Sequence, residues 1–88
     1  MNIPLPTPAT LGRLVRAARK AERLRQDDFA GAAGVSDVFL GRLENGAPGA
    51  RLDKVLQVLR ELGIELQAEV SDEVAAKYQA LEQRSKSR

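Results

Sequence analysis

The chain has 88 residues and a formal net charge of +2, and its composition excludes several kinds of protein. It contains no cysteine and no histidine, which excludes disulfides, thiolate metal sites and the most common general base. This length accommodates one domain with a modest core, so dimerisation would add stability. The amino terminus does not resemble a signal peptide, and no stretch approaches the roughly 20 apolar residues of a membrane span. We therefore expect a cytoplasmic protein with no membrane partner.

An extended arm is predicted over residues 1–8, which contain three prolines. Thr7 followed by Pro8 is typical of a helix start, with threonine as the N-cap and proline at the first helical position. Apolar residues then follow at helical spacing and predict a first helix that ends near Glu22; they are Leu11, Leu14, Val15 and Ala18.

Basic residues are concentrated in the second half of this predicted helix and directly after it. Between Arg13 and Arg25 there are six basic residues and one acidic residue, Glu22. Such a band suits a phosphate backbone, but a solvated helix face explains it equally well. Both interpretations stay open.

Two short helices joined by a tight turn are predicted next. Phe29, Ala30 and Ala33 form the inner face of the second helix, and Gly34 ends it in the left-handed conformation that glycine tolerates. Ser36 is a suitable N-cap for the third helix. Leu40 and Leu43 bury one side of that helix and leave the other side exposed.

A fourth helix and then a strand are predicted in the second half of the chain. Leucine and valine recur at helical spacing up to Gly63, which closes the compact domain of residues 9–63. Residues 64–70 then alternate between apolar and polar, as a half-buried strand does. A lone strand is unstable, so we predict that it pairs with its copy in a second protomer through Ile64, Leu66, Ala68 and Val70. Residues 71–88 form a polar tail, partly helical or disordered.

The pattern resembles the Xre/lambda-repressor-like helix-turn-helix family. The residues that carry the resemblance are Val15, Arg16, Arg19, Leu24, Gln26, Phe29, Ala30, Gly34, Val35, Ser36, Leu40, Leu43, Glu44, Asn45 and Gly46. With residues 38–66 included, the chain is most similar to the HipB-type antitoxins, small repressors encoded beside a HipA-type kinase toxin. The resemblance implies a mostly α fold: a lambda-repressor-like domain of four to five helices, with one C-terminal β-strand that pairs across a dimer.

The resemblance also implies roles for individual residues. Arg19 and Glu44 correspond to an internal ion pair, and the backbone amides of Asn45 and Gly46 correspond to phosphate contacts. Arg25 stands where serine or threonine usually caps the second helix, so a cap is lost or a phosphate contact is gained. The full set of implied DNA-binding residues is Gln26, Ser36, Asp37, Val38, Arg42, Asn45 and Arg25.

The function implied is that of a sequence-specific repressor that binds a palindromic operator in double-stranded DNA as a homodimer. It would also bind a HipA-type serine/threonine kinase toxin and regulate its own operon. A stand-alone Xre-type regulator, or a helix-turn-helix module used only for protein interaction, are the alternatives. We expect no enzyme, metal or cofactor, because the adjacent carboxylates Asp27-Asp28 and Asp72-Glu73 do not converge on one site.

Overall fold

Helices account for most of the chain that the structure describes, residues 1–86. In the computed structural model they are α1 (Pro8–Ala21), α2 (Gln26–Ala33), α3 (Asp37–Glu44), α4 (Leu52–Glu61) and α5 (Asp72–Lys86). The mostly helical fold predicted from the sequence is therefore confirmed. The core between the first four helices consists of Val15, Phe29, Ala30, Ala33, Val35, Leu40, Leu43, Val55, Val58, Leu59 and Leu62.

Side-chain caps begin α1 and α3, as the sequence predicts. The Thr7 hydroxyl accepts a hydrogen bond from the backbone N–H of Thr10 at 3.2 Å, and the Thr10 hydroxyl accepts one from the Thr7 N–H at 3.1 Å. Pro8 occupies the first turn of α1. The Ser36 hydroxyl accepts a hydrogen bond from the N–H of Phe39 at 3.0 Å. Each cap satisfies an N–H group that a helix start leaves without a partner.

Three features stabilise the turn between α2 and α3. Gly34 adopts φ 76°, the left-handed conformation that a residue with a side chain rarely takes. The N–H of Val35 donates to the carbonyl of Ala30 at 3.0 Å, and the Val35 side chain is buried. From α4, the Gln57 amide donates to the carbonyl of Ala33 at 2.9 Å. These contacts fix the angle at which α3 leaves α2.

Close packing between α1 and α3 depends on Gly12, which is buried in the middle of α1. A Cβ atom at this position would collide with the carbonyl oxygen of Leu43 and lie 2.9 Å from the carbonyl oxygen of Glu44. The absence of a side chain therefore lets α1 lie directly against the carboxyl-terminal end of α3.

The predicted strand over residues 64–70 is not present in the protomer. Residues 64–71 form neither a helix nor a strand in the described chain. Ile64 packs partly against the core, but Leu66 and Val70 are 48% and 52% exposed. The buried face predicted for these residues requires a second protomer, and the single chain does not form it. The physical reason is that a strand needs a hydrogen-bonding neighbour, so pairing across a dimer stays a prediction.

The tail predicted over residues 71–88 is largely helical. Helix α5 spans Asp72–Lys86 and has no buried residue, while Ser87 and Arg88 lie outside the described residues. Across residues 1–86, none of the helices combines the length and the apolar character that crossing a membrane requires.

We predict opposite effects for two glycine-to-alanine substitutions. Gly12→Ala should lower the free energy of unfolding by about 1–3 kcal/mol, because backbone carbonyls must move to admit the methyl group. Gly31→Ala should raise it by about 0.5–1 kcal/mol, since alanine favours the helix and a Cβ there has no neighbour within 4 Å. Urea denaturation followed by circular dichroism measures both changes. Equal effects of the two substitutions would contradict this account of α1 packing.

Candidate nucleic-acid interface

One side of α3 is exposed while the opposite side belongs to the core. Leu40 and Leu43 are buried, whereas the side chains on the other face lie in solvent, with Val38 72% exposed. The exposed residues at or near the start of α3 are Ser36, Asp37 and Val38, and Arg42 lies one turn further on. The structure therefore places Asp37, Val38 and Arg42 on one accessible helix, with Ser36 at its N-cap. The buried side of this helix anchors it in the core.

A cleft of about 360 Å³ lies beside this face, between α3 and the start of α4. Ser36, Val38 and Arg42 line one part of it, and Arg51 and Lys54 line another. Arg42 and Lys54 give this cleft a positive edge, which suits a phosphate backbone.

Two of these basic residues were missed by the sequence analysis. The guanidinium of Arg51 donates to both carboxylate oxygens of Asp53, at 2.7 and 3.2 Å, and this contact lowers the pKa of Asp53. The Lys54 ammonium lies 6.0 Å from the centre of the Phe39 ring on α3. These two residues could have been found in the sequence as two basic residues at the start of the fourth helix, directly after the loop that follows α3.

Gln26 reaches from the first turn of α2 to α3. Its side-chain amide donates to Oε1 of Glu44 at 3.3 Å. The same amide nitrogen would lie 3.8 Å from a Cβ atom on Gly41. Gln26 itself remains exposed, so its amide is both accessible and braced against α3.

Arg19 and Glu44, which the sequence analysis pairs, form a buried ion pair. Arg19 donates through Nε to Oε2 at 2.7 Å and through Nη2 to Oε1 at 2.9 Å. Its Nη1 also donates to the carbonyl of Leu24 at 2.8 Å. The hydrogen bond to Glu44 raises the pKa of Arg19 above its ordinary value. Removing one partner of such a buried pair costs about 3–5 kcal/mol, because the other charge is left without compensation.

At the carboxyl-terminal end of α3, the backbone amides of Asn45 and Gly46 have hydrogen-bond partners within the chain. The N–H of Asn45 donates to the carbonyl of Gly41 at 3.1 Å, and the N–H of Gly46 donates to the carbonyl of Leu43 at 3.0 Å. Both amides are thus already engaged within the chain. The side chain of Asn45 is exposed at this end.

The basic band of α1 and the following loop is mostly exposed. Arg19 turns inward to Glu44, which removes one charge from the band. Arg25 precedes α2 without a side-chain cap, and it pairs at the surface with Asp27 at 3.2 Å. The remaining exposed members are Arg13, Arg16, Lys20 and Arg23.

The residues predicted to dimerise lie in a separate region. A groove of about 720 Å³ runs between residues 1–5 and residues 64–69, with Leu14 also lining it. This groove shares no lining residue with the cleft beside α3. Of the four predicted residues, Ile64 is half-buried and Leu66, Ala68 and Val70 are exposed.

A family model and a relative match most of this chain. The model described as "Helix-turn-helix domain" matches residues 10–72. The relative is the uncharacterized HTH-type transcriptional regulator y4mF of Sinorhizobium fredii (strain NBRC 101917 / NGR234), which is 54% identical over 59 residues. That alignment covers 67% of this chain and 78% of the relative.

Solved structures match the fold at low sequence identity. A chain in the HipA-HipB-O2-O3 complex aligns with a TM-score of 0.71 and 15% identity, covering 81% of this chain and all of that chain. The HipB-O4 20mer complex gives the same values. At this identity the likeness shows a shared fold. The family match ends at residue 72, where α5 begins.

Proposed function

The chain belongs to the helix-turn-helix family of transcriptional regulators, and on that premise we propose that it is a sequence-specific DNA-binding repressor. The observation that carries the proposal is the exposed face of α3, whose opposite side is anchored in the core. A major groove, about 12 Å wide, accepts a helix presented in this way. The cations Arg42 and Lys54 beside that face complement the phosphates.

The proposed contacts follow from side-chain chemistry. Arg42 suits a guanine edge or a phosphate, Asp37 can accept from a cytosine amino group, and Val38 can contact a thymine methyl. Ser36 lies at the amino-terminal end of the same helix. Gln26, held against α3 by Glu44, is proposed to donate to the DNA backbone. Arg25 and the Asn45 side chain are proposed phosphate contacts at the edges of the interface.

We propose that the repressor acts as a homodimer on a two-fold symmetric operator. Two α3 helices must enter the major groove about 34 Å apart, or a multiple of that distance, on one side of the duplex. The half-exposed Leu66 and Val70 support pairing of residues 64–70 between protomers, because their apolar surface would be covered there.

We further propose an antitoxin role, in which the protein regulates its own operon and binds a HipA-type serine/threonine kinase toxin. The HipB-like fold supports this, since HipA and HipB occur together with O2 and O3 in one solved complex. The second candidate is a module that binds only proteins. Asp37 favours that candidate, because an exposed acid on the reading face opposes phosphate.

Arg42→Ala should weaken operator binding by about 1–3 kcal/mol while the fold persists, because a base or phosphate contact is lost. Gln26→Ala should weaken binding to specific and nonspecific duplexes equally. Lys86→Ala, which removes one positive charge from α5 outside the family match, is the control and should bind as the unsubstituted chain does. A mobility shift with DNA upstream of the gene, repeated at several salt concentrations, measures these affinities. Unchanged binding by both interface variants would exclude this DNA-binding face.

Leu66→Asp should yield monomers in sedimentation experiments and weaken operator binding, because a buried unpaired carboxylate opposes pairing of the two segments. Gln67→Asp places the same acid on the alternate side of residues 64–70 and should leave the dimer intact. A Leu66→Asp chain that sediments as a dimer would rule out pairing through this segment.

Co-expression with the neighbouring gene of the chromosome tests the antitoxin role. We expect a HipA-type kinase to co-purify with the chain, and we expect Arg42→Ala to leave that association unchanged because the DNA-binding face is not required for it. A neighbour without a kinase fold, or one that fails to associate, would reduce the function to that of a stand-alone regulator.

A further inference from the structure

Helix α5 lacks the packing that a helix of its length needs. It spans the 15 residues Asp72–Lys86, and none of them is buried in the protomer. Isolated helices shorter than about 12–15 residues are marginal in water, and in proteins most helical stability comes from packing of one face. The helix also lies beyond the family match, which ends at residue 72. Packing against a surface outside the protomer would therefore stabilise α5.

An apolar stripe marks the face that would pack. Val74, Tyr78 and Leu81 recur at intervals of four and three residues, and they are 51%, 62% and 62% exposed. This is the spacing of the seam between two coiled helices, with Val74 and Leu81 at d positions and Tyr78 at an a position. A tyrosine at the seam can keep its hydroxyl in solvent at the edge of the interface while its ring packs against the other helix.

The charges beside the stripe fit a second copy of the same helix in parallel orientation. In this heptad Lys77 occupies a g position and Glu82 the following e position, and a parallel pair brings each Lys77 beside Glu82 of the other copy. Two-fold symmetry repeats the ion pair on both sides of the seam. An antiparallel pair would instead bring Lys77 beside Arg84, two like charges.

We propose that α5 pairs in parallel with α5 of a second copy through Val74, Tyr78 and Leu81. The inference rests on the homodimer of the proposed function and extends it. A seam of three side chains is small against the roughly 1,600 Å² of a standard interface, so it adds to another contact. Residues 64–70 precede α5 along the chain, so the helix pair would be a second contact between the same two protomers. Its effect is to stabilise the dimer that operator binding requires.

Cysteine cross-linking tests the pairing, because the chain has no cysteine of its own. Val74→Cys and Leu81→Cys should each form a disulfide-linked dimer under mild oxidation, since a parallel seam brings identical positions within the roughly 7 Å that a disulfide allows. Ala76→Cys, on the outer side of the same helix, is the control and should stay monomeric on a non-reducing gel. In the antiparallel pair that brings Lys77 beside Arg84, the two Val74 positions lie about 20 Å apart and cannot cross-link.

Charge reversal tests the orientation independently. Lys77→Glu and Glu82→Lys should each raise the dimer dissociation constant about 5- to 10-fold, because attraction becomes repulsion on both sides of the seam. The double variant with both reversals should restore the original constant. Sedimentation equilibrium measures all four chains, and failure of the double variant to recover would overturn the parallel pairing.

The outcomes separate this inference from the proposed function. If Val74→Cys chains cross-link but bind no operator, the repressor function is refuted and the helix pair is supported. Operator binding by a dimer whose Val74→Cys chain does not cross-link would refute the helix pair alone. Cross-linking that is lost only after a kinase partner binds would show that the two occupants compete for the stripe, with the second copy holding it in the free protein.

Discussion

The buried ion pair between Arg19 and Glu44 is the contact on which the proposed DNA-binding face depends. It joins α1 to the last residue of α3, and the same carboxylate accepts a hydrogen bond from Gln26 at the start of α2. One acidic side chain thereby links three helices. Because both charges are buried, they must stay paired, and α3 has little freedom to move relative to α1.

The close approach of α1 and α3 makes that pairing possible. Gly12 removes the side chain that would separate the two helices near Leu43, so the guanidinium reaches the carboxylate in a bidentate arrangement. Gln57 performs a comparable task from α4 by holding the end of α2. The exposed face of α3 is consequently supported on several sides, and a rigid support favours base recognition because little order is lost on binding.

The segment from residue 64 through α5 contrasts with this compact centre. Leu66 and Val70 are half exposed, and the stripe on α5 continues the same apolar surface along the sequence. A small domain that leaves so much apolar surface uncovered gains stability from association, which is consistent with the two-fold arrangement that operator recognition needs. Self-pairing and DNA binding would then use different surfaces, because the groove at residues 64–69 and the cleft at α3 share no lining residue.

The sequence by itself determined the local features of this protein. Thr7 and Ser36 as caps, Gly34 in its left-handed turn, and the apolar positions at helical spacing all follow from short-range rules that act within a few residues. The same part of the sequence carries the resemblance to a helix-turn-helix family. The exposed positions of α3 could be predicted because Leu40 and Leu43 define its buried side.

Only the tertiary structure decided what depends on contacts between distant parts of the chain. The hydrogen bond from Gln57 to Ala33 joins residues 24 positions apart on α4 and α2. The approach at Gly12 and the position of Lys54 beside α3 likewise bring residues of separate helices together. The engaged amides of Asn45 and Gly46 likewise emerged only from the geometry of the α3 terminus. Residues 64–70 show where prediction from sequence ends. Their alternation of apolar and polar residues favours a strand, but a strand forms only where a neighbouring strand supplies its hydrogen bonds.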